Sequence, residues 1–236
     1  MRIKAMKIEL GQVEAMFRYP VKSMRGEPLD EATLGWNGID GDRRYAFRRV
    51  EERGEFPWLT GSKLPELLQF TPQLPASVRT PEGDELALMG DELAAEVGRR
   101  YGAPVQMMQL KNGIFDEASI SVISSETARE ITRLAGTVED VRRFRPNIVV
   151  RSTRAVPFEE DEWLGGILAF GDDGPAVAVT MRDVRCVMVN LDPAGGSPEP
   201  AVLKAVVRAN QNHAGIYGTV TRTGRVAVGQ KIVLHR

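Results

Sequence analysis

QVEAMFRYPVKSMRGEPLDEATLGWNGIDGDRRYAFRRV, residues 12–50, is the stretch whose reading decides the fold. It breaks into three short, strand-like runs, 12–19, 29–36 and 43–50, punctuated by Gly35, Gly38 and Gly41. Downstream, Gly54 and Gly61 lead to a fourth expected strand at 67–74, and Pro81-Glu82-Gly83-Asp84 joins short strands at 78–80 and 86–89. A helix is expected from Asp91, its cap, with Leu93, Val97 and Tyr101 on one face and Gly102 and Pro104 ending it. A strand at 105–110 completes this half. After Lys111-Asn112-Gly113, a candidate junction, a second pattern begins, and the sequence shows no internal repeat. Strands are expected at 120–123, 148–150, 167–170, 176–181, 184–189, 216–222 and 231–234, with Gly224 and Gly229 in the last link. Helices are expected from Ser124 or Ser125 to about Leu134 and from about Pro200 to Ala209. Many short strands and few helices give a mainly β fold with helices (α+β), barrel-like, divided at 1–112 and 113–236.

With 42% hydrophobic and 27% charged residues and a net charge of −1 over 236 residues, the composition is that of a globular protein. Near-neutral charge argues against nucleic acid or a membrane surface as partner. No apolar run approaches the ~20 residues of a membrane span, and MRIKAMKIELGQ carries no signal-type run, so the sequence reads as cytoplasmic. A single cysteine excludes an internal disulfide, zinc fingers and iron–sulfur clusters, and His213 and His235 are too few for a histidine metal site.

Four clusters can carry chemistry. Lys22 and Ser23 close the first strand, where an ammonium and a hydroxyl can hold an anion or simply form a solvated turn. In GDRRY, residues 41–45, strand alternation sends Arg43 and Arg44 to opposite faces; one can meet a ligand, or both can be surface ion pairs. In RRFRPNIVV, residues 142–150, Pro146 is expected to hold Arg145 extended, placing its guanidinium beside the Asn147 amide. The alternative is a charged helix end before a core strand. Finally, Cys186, read on the 184–189 strand, has Arg185 beside it and Arg182 near, a setting that favours a thiolate; otherwise it is a small buried hydrophobe.

In order along the chain, YPVKS, GDRRY, FDEASISVIS, RFRPNIVV, FEEDEW, RCVMVNLDP, Tyr217 and VAVGQKIVL resemble the MOSC family. They are most similar to its two-part members related to the mitochondrial amidoxime-reducing component. The resemblance implies a MOSC β-barrel domain packed against an N-terminal β-rich domain, with a molybdenum–molybdopterin cofactor between them. It implies Cys186 as the metal ligand and catalytic thiolate, and Lys22, Ser23, Arg43, Ser119, Arg145, Asn147 and Tyr217 as cofactor contacts. Where relatives carry an arginine in a T-x-R-x-x-P segment, this chain has Ser62, followed by Lys63.

The activity so implied is reduction of small N-hydroxylated substrates such as amidoximes and hydroxylamines. Electrons would come from a separate flavin, haem or iron–sulfur donor protein, and Arg182 or Asp192 would steer substrate or protons. A non-catalytic cofactor carrier, or a sulfur carrier using Cys186, would need the same residues.

Overall fold

The computed structural model describes residues 6–236; residues 1–5, where the N-terminal segment read above begins, lie outside the described residues. The first half contains β1 (Lys7–Arg18), β2 (Glu27–Leu29), β3 (Glu31–Gly35), β4 (Gly38–Ile39) and β5 (Tyr45–Arg49). It continues with β6 (Thr71–Gln73), β7 (Ser77–Arg79), β8 (Glu85–Ala87), α1 (Asp91–Tyr101) and β9 (Val105–Gln109). Next come β10 (Ile120–Ser124), α2 (Ser125–Ala135), β11 (Ile148–Ser152), β12 (Ile167–Phe170) and β13 (Ala176–Val184). The chain closes with α3 (Ala201–Asn210), β14 (His213–Arg222), β15 (Gly224–Ala227) and β16 (Lys231–His235).

Seven strands, in the order β11-β10-β14-β13-β12-β16-β1, form a barrel that shuts where β1 pairs antiparallel with β11. Closure removes the free sheet edges that an open sheet would expose. Most neighbours are antiparallel; β10 and β11 run parallel, with α2 as their crossover. β1 reaches both partners because it is 12 residues long and bulged. At Gly11, φ is +147° and a Cβ would lie 2.0 Å from the Arg151 carbonyl oxygen, so only glycine lets the strands approach. Val13, Met16, Ile148, Val150, Ile216 and Leu234 fill the barrel, each contributing about 1.5–3 kcal/mol by burial.

Sheet pairing crosses the 112/113 division: β1 belongs to the large barrel, while β15 pairs with β3. The N-terminal region adds a β5–β9 pair and a β6-β7-β8 meander, with α1 against them and a core of Phe47, Leu59, Leu67, Phe70 and Leu93. Outside the barrel, α2 and α3 bury Ile131, Val202 and Val206 against Ile123 and Val149. Ser124 caps α2 by accepting the Thr127 N–H at 3.1 Å, and Gly136 ends it in the left-handed region. Among the described residues, no helix is long and apolar enough to cross a membrane.

Several expectations need correction. Residues 67–74 are not one strand: Pro65–Gln69 form a 3-10 turn that buries Leu67 and Leu68, and only Thr71–Gln73 pair. The expected 184–189 strand is absent, because β13 ends at Val184 and Val187–Asn190 form a 3-10 turn. Asp91 does not cap α1; Gly90 holds that position with no side-chain bond. The link holding Gly224 contains a strand, β15, made possible by its partner β3.

Candidate active site

An open cleft, with a cavity volume of about 280 Å³, lies where the β1–β2 loop, the segment before β10, the end of β13 and β14 meet. Lys22, Ser23, Arg43, Arg145, Cys186 and Tyr217 all line it, drawn from positions almost 200 residues apart. Asn147 and Ser119 do not. Asn147 is 1% exposed, and its amide is engaged internally. Its Oδ1 accepts the Ser121 N–H at 3.1 Å and an Arg43 Nη1–H at 3.2 Å, while Nδ2 donates to the Phe17 carbonyl at 3.3 Å. Ser119 precedes β10, and its carbonyl backs onto Gly38, where a Cβ would sit 2.2 Å away.

Arg43 is buried, with φ +45°. Nη1 also donates to Asp42 at 2.5 Å, Nη2 donates to the Arg145 carbonyl at 2.8 Å, and Nε meets Asp116 at 2.6 Å. Burial opposes its charge, but Asp42 and Asp116 outweigh that and hold its pKa above the ordinary value. Arg44 takes the other direction, donating to the carbonyls of Leu110 and Lys111. Burial opposes the charge of Asp116 too, yet Arg43 and Lys22 hold this carboxyl below its usual range. Lys22 Nζ donates to the Phe115 carbonyl at 2.8 Å, and burial pulls its pKa down against the attraction of Asp116.

Arg145 corrects the sequence expectation. It is not extended before Pro146 but left-handed, with φ 49° and ψ 44°. Tertiary contacts override the local preference: its guanidinium stacks 4.2 Å from the Tyr19 ring centroid, and Nη1 donates to the Met24 carbonyl at 2.8 Å. Nη2 is buried without a partner. No carboxylate pairs with Arg145 among the described residues, and burial lowers its pKa to about 10.

Cys186 is exposed at the start of the Val187–Asn190 turn, neither on a strand nor buried. Arg185 is turned into the protein, donating to the Ala214 and Phe144 carbonyls at 2.7 Å each and pairing with Asp183 at 2.8 Å. Arg182 faces away, toward Asp161 and Asn210, and Asp192 accepts the Ala194 N–H; neither lines the cleft. Thr60 does, while Ser62 hydrogen-bonds Thr60 at 2.8 Å and Lys63 is exposed.

Two acids that the sequence reading passed over belong to the lining: Asp116 and Asp183. Asp183 is 2% exposed, accepts from Ser121 Oγ at 3.3 Å, and is pushed up to about 6 by burial despite Arg185. Its signal was the alternation that puts Asp183 and Arg185 on one side of an extended chain. The Tyr217 hydroxyl donates to Asp116 at 3.3 Å, and burial followed by Asp183 and Asp116 raises its pKa. The cleft thus offers one thiol, an ammonium, the Arg145 guanidinium with no carboxylate partner among the described residues, and protonatable groups within one wall.

Comparison with known proteins supplies the family. No curated protein matches the chain at a significant level. Among solved structures, YUAD protein from Bacillus subtilis is 17% identical, with 98% of each chain covered and a TM-score of 0.56. That likeness concerns the fold. YiiM from Geobacillus stearothermophilus is 21% identical over 50% of this chain and 54% of its own, at a TM-score of 0.40. YiiM from Escherichia coli is 11% identical, covering 97% of this chain and 69% of its own, at a TM-score of 0.44. The MOSC N-terminal beta barrel domain matches residues 10–118. Since the MOSC domain matches residues 101–233, more than half of the sequence, the chain belongs to the MOSC domain family.

Proposed function

We propose that this cleft holds a molybdenum–molybdopterin cofactor and that the protein reduces N-hydroxylated compounds such as amidoximes and hydroxylamines. The observation that carries the reading is the exposed Cys186 thiol sharing a cleft with Arg145, whose Nη2 is buried and unpartnered. The residues fit the group. A thiolate is a soft ligand suited to a transition metal. Among the described residues, no three His, Cys, Asp or Glu side chains gather to hold a metal. A metal on Cys186 would therefore take its remaining ligands from the cofactor. Lys22, Ser23 and Arg145 supply an ammonium, a hydroxyl and a guanidinium for its phosphate. Of the five Arg43 donors, four are engaged by Asp42, Asn147, the Arg145 carbonyl and Asp116, which leaves one for a ligand. Asn147 acts from behind, fixing Arg43 and the start of β10, and Ser119 stands just before that strand with its carbonyl against Gly38.

When bound, the cofactor supplies the two-electron chemistry that N–O cleavage needs. Converting N–OH to N–H and water also consumes two protons. Asp183, its carboxyl raised to about 6 by burial, can take up and give back a proton at the cleft wall just below neutral pH, and Tyr217 and Asp116 extend the same wall. Electrons come from a separate flavin, haem or iron–sulfur protein, and a reducing, cytoplasmic setting keeps the one thiol free. Molybdenum and pterin are measured per purified chain, and amidoxime reduction is followed with an artificial reductant. The reading expects Cys186→Ala to lose activity and metal; full activity in that variant overturns it. Stable cofactor with no turnover of any N-hydroxylated compound would instead identify a carrier.

A further inference from the structure

A second, narrower slot shares only Arg145 and no other residue with the cleft's lining. Tyr19, Arg25, Gly26, Leu68 and Arg142 are among its walls. The loop after β1 serves both spaces: Lys22 and Ser23 line the cleft, whereas Tyr19 and Arg25 line the slot. Three buried polar atoms of the slot residues have no hydrogen-bond partner, namely Tyr19 Oη, Arg25 Nε and Arg145 Nη2. Orphaned buried donors are rare, and each asks for a partner. Tyr19 is 1% exposed, and its ring is fixed: Arg43 and Arg145 stack at 5.0 and 4.2 Å, and its edge lies against Gly26.

The charge around the slot is uneven. Arg142 is matched by Asp140 through a fork of bonds at 2.6–3.1 Å. Asp192 stands beside the lining residue Pro193 and accepts the Ala194 N–H. Among the described residues neither Arg25 nor Arg145 has a carboxylate within ion-pairing distance. Two unneutralised guanidinium groups and a phenol hydroxyl form a donor set for an oxyanion.

We propose that the slot is an oxyanion subsite, in which Tyr19, Arg25 and Arg145 bind one oxygen of a phosphate or phosphoryl group. Its cavity volume, about 20 Å³, admits one oxygen-sized group; the rest of the anion stays at the mouth beside Arg25. The phosphate is either free or part of a ligand whose body lies in the cleft. Arg145 serves this reading and the cofactor reading alike, whereas Tyr19 and Arg25 belong to the slot alone, so their variants test the subsite separately.

Inorganic phosphate is titrated into the metal-free protein at low ionic strength, followed by 31P NMR and calorimetry. Two binding events are expected, one weakened by Lys22→Ala and the other by slot variants. Arg25→Gln should weaken the slot event about tenfold and Tyr19→Phe about threefold, with far-UV circular dichroism unchanged. Repeating the titration on cofactor-loaded protein separates the sources. Loss of the slot event there identifies a phosphoryl group of the bound ligand as the occupant, and its persistence identifies a free anion. Absence of phosphate binding, or binding indifferent to both slot variants, overturns the proposal.

Discussion

Replacing Asn147 by alanine separates two roles that the sequence cannot tell apart. As a ligand contact, Asn147 would matter only when the cofactor is present. The geometry makes it an internal strut joining β1, β10 and the Arg43 loop. Truncation strips one partner from the Ser121 N–H and one from the Phe17 carbonyl, each worth about 1–3 kcal/mol when left unsatisfied. Arg43 loses least, because Nη1 retains Asp42 at 2.5 Å. The expected loss is therefore about 2–6 kcal/mol, a large part of the roughly 5–15 kcal/mol typical of a folded domain. With a urea dependence of roughly 2–3 kcal/mol per molar, the unfolding midpoint should fall by about 1–2 M in protein that holds no cofactor. Asn147→Asp keeps the acceptor shared by Ser121 and Arg43 and should lose less. A midpoint within roughly 0.3 M of wild type, with cofactor content abolished, would refute the strut and make Asn147 a direct contact.

Three further outcomes are expected. Gly26→Ala places a Cβ 2.3 Å from Tyr19 Cε1; the ring is held by two guanidinium groups, so overpacking should cost about 1–3 kcal/mol, and an unchanged chemical-unfolding midpoint would contradict this packing. Glu160 is fully buried against Ser124 and Thr127 at the start of α2, and burial pushes its carboxyl up to about 7 from 4.5. Because the folded value is the higher one, its stabilising contribution is complete below pH 4.5 and is lost as pH rises through about 7; Glu160→Gln should flatten that decline, and denaturation midpoints from pH 4.5 to 8 parallel to wild type would dismiss the assignment. Cys186→Ala, at an exposed position, should change stability by less than about 0.5 kcal/mol, and a drop of several kcal/mol in thermal unfolding would give the thiol a packing role.

The barrel was legible only as a list of strands. Alternation and turn residues locate most of them, and Ser124 marks the start of α2. Closure was hidden, because it depends on β1 meeting β11 more than 130 residues away, in a close approach to Arg151 that glycine at position 11 permits. The candidate site shows the same division. Its residue types were readable, but the direction and pairing of each side chain were set by tertiary neighbours. Arg185 looked like the charge that activates Cys186, yet it is held by Phe144, Ala214 and Asp183. Arg145 looked like an extended residue before a proline, yet Tyr19 and Met24 hold it in the left-handed region. Local preference yields in both cases to contacts worth more than a backbone bias. What makes a cation available to a ligand is then the lack of an internal partner. Arg43, Arg143 and Arg185 each meet a carboxylate, whereas among the described residues Arg145 meets none and keeps a buried N–H group unpaired. Counting arginines in RRFRPN therefore overstates the binding charge, and the one cation that the structure leaves unneutralised there is the one shared by the cleft and the slot.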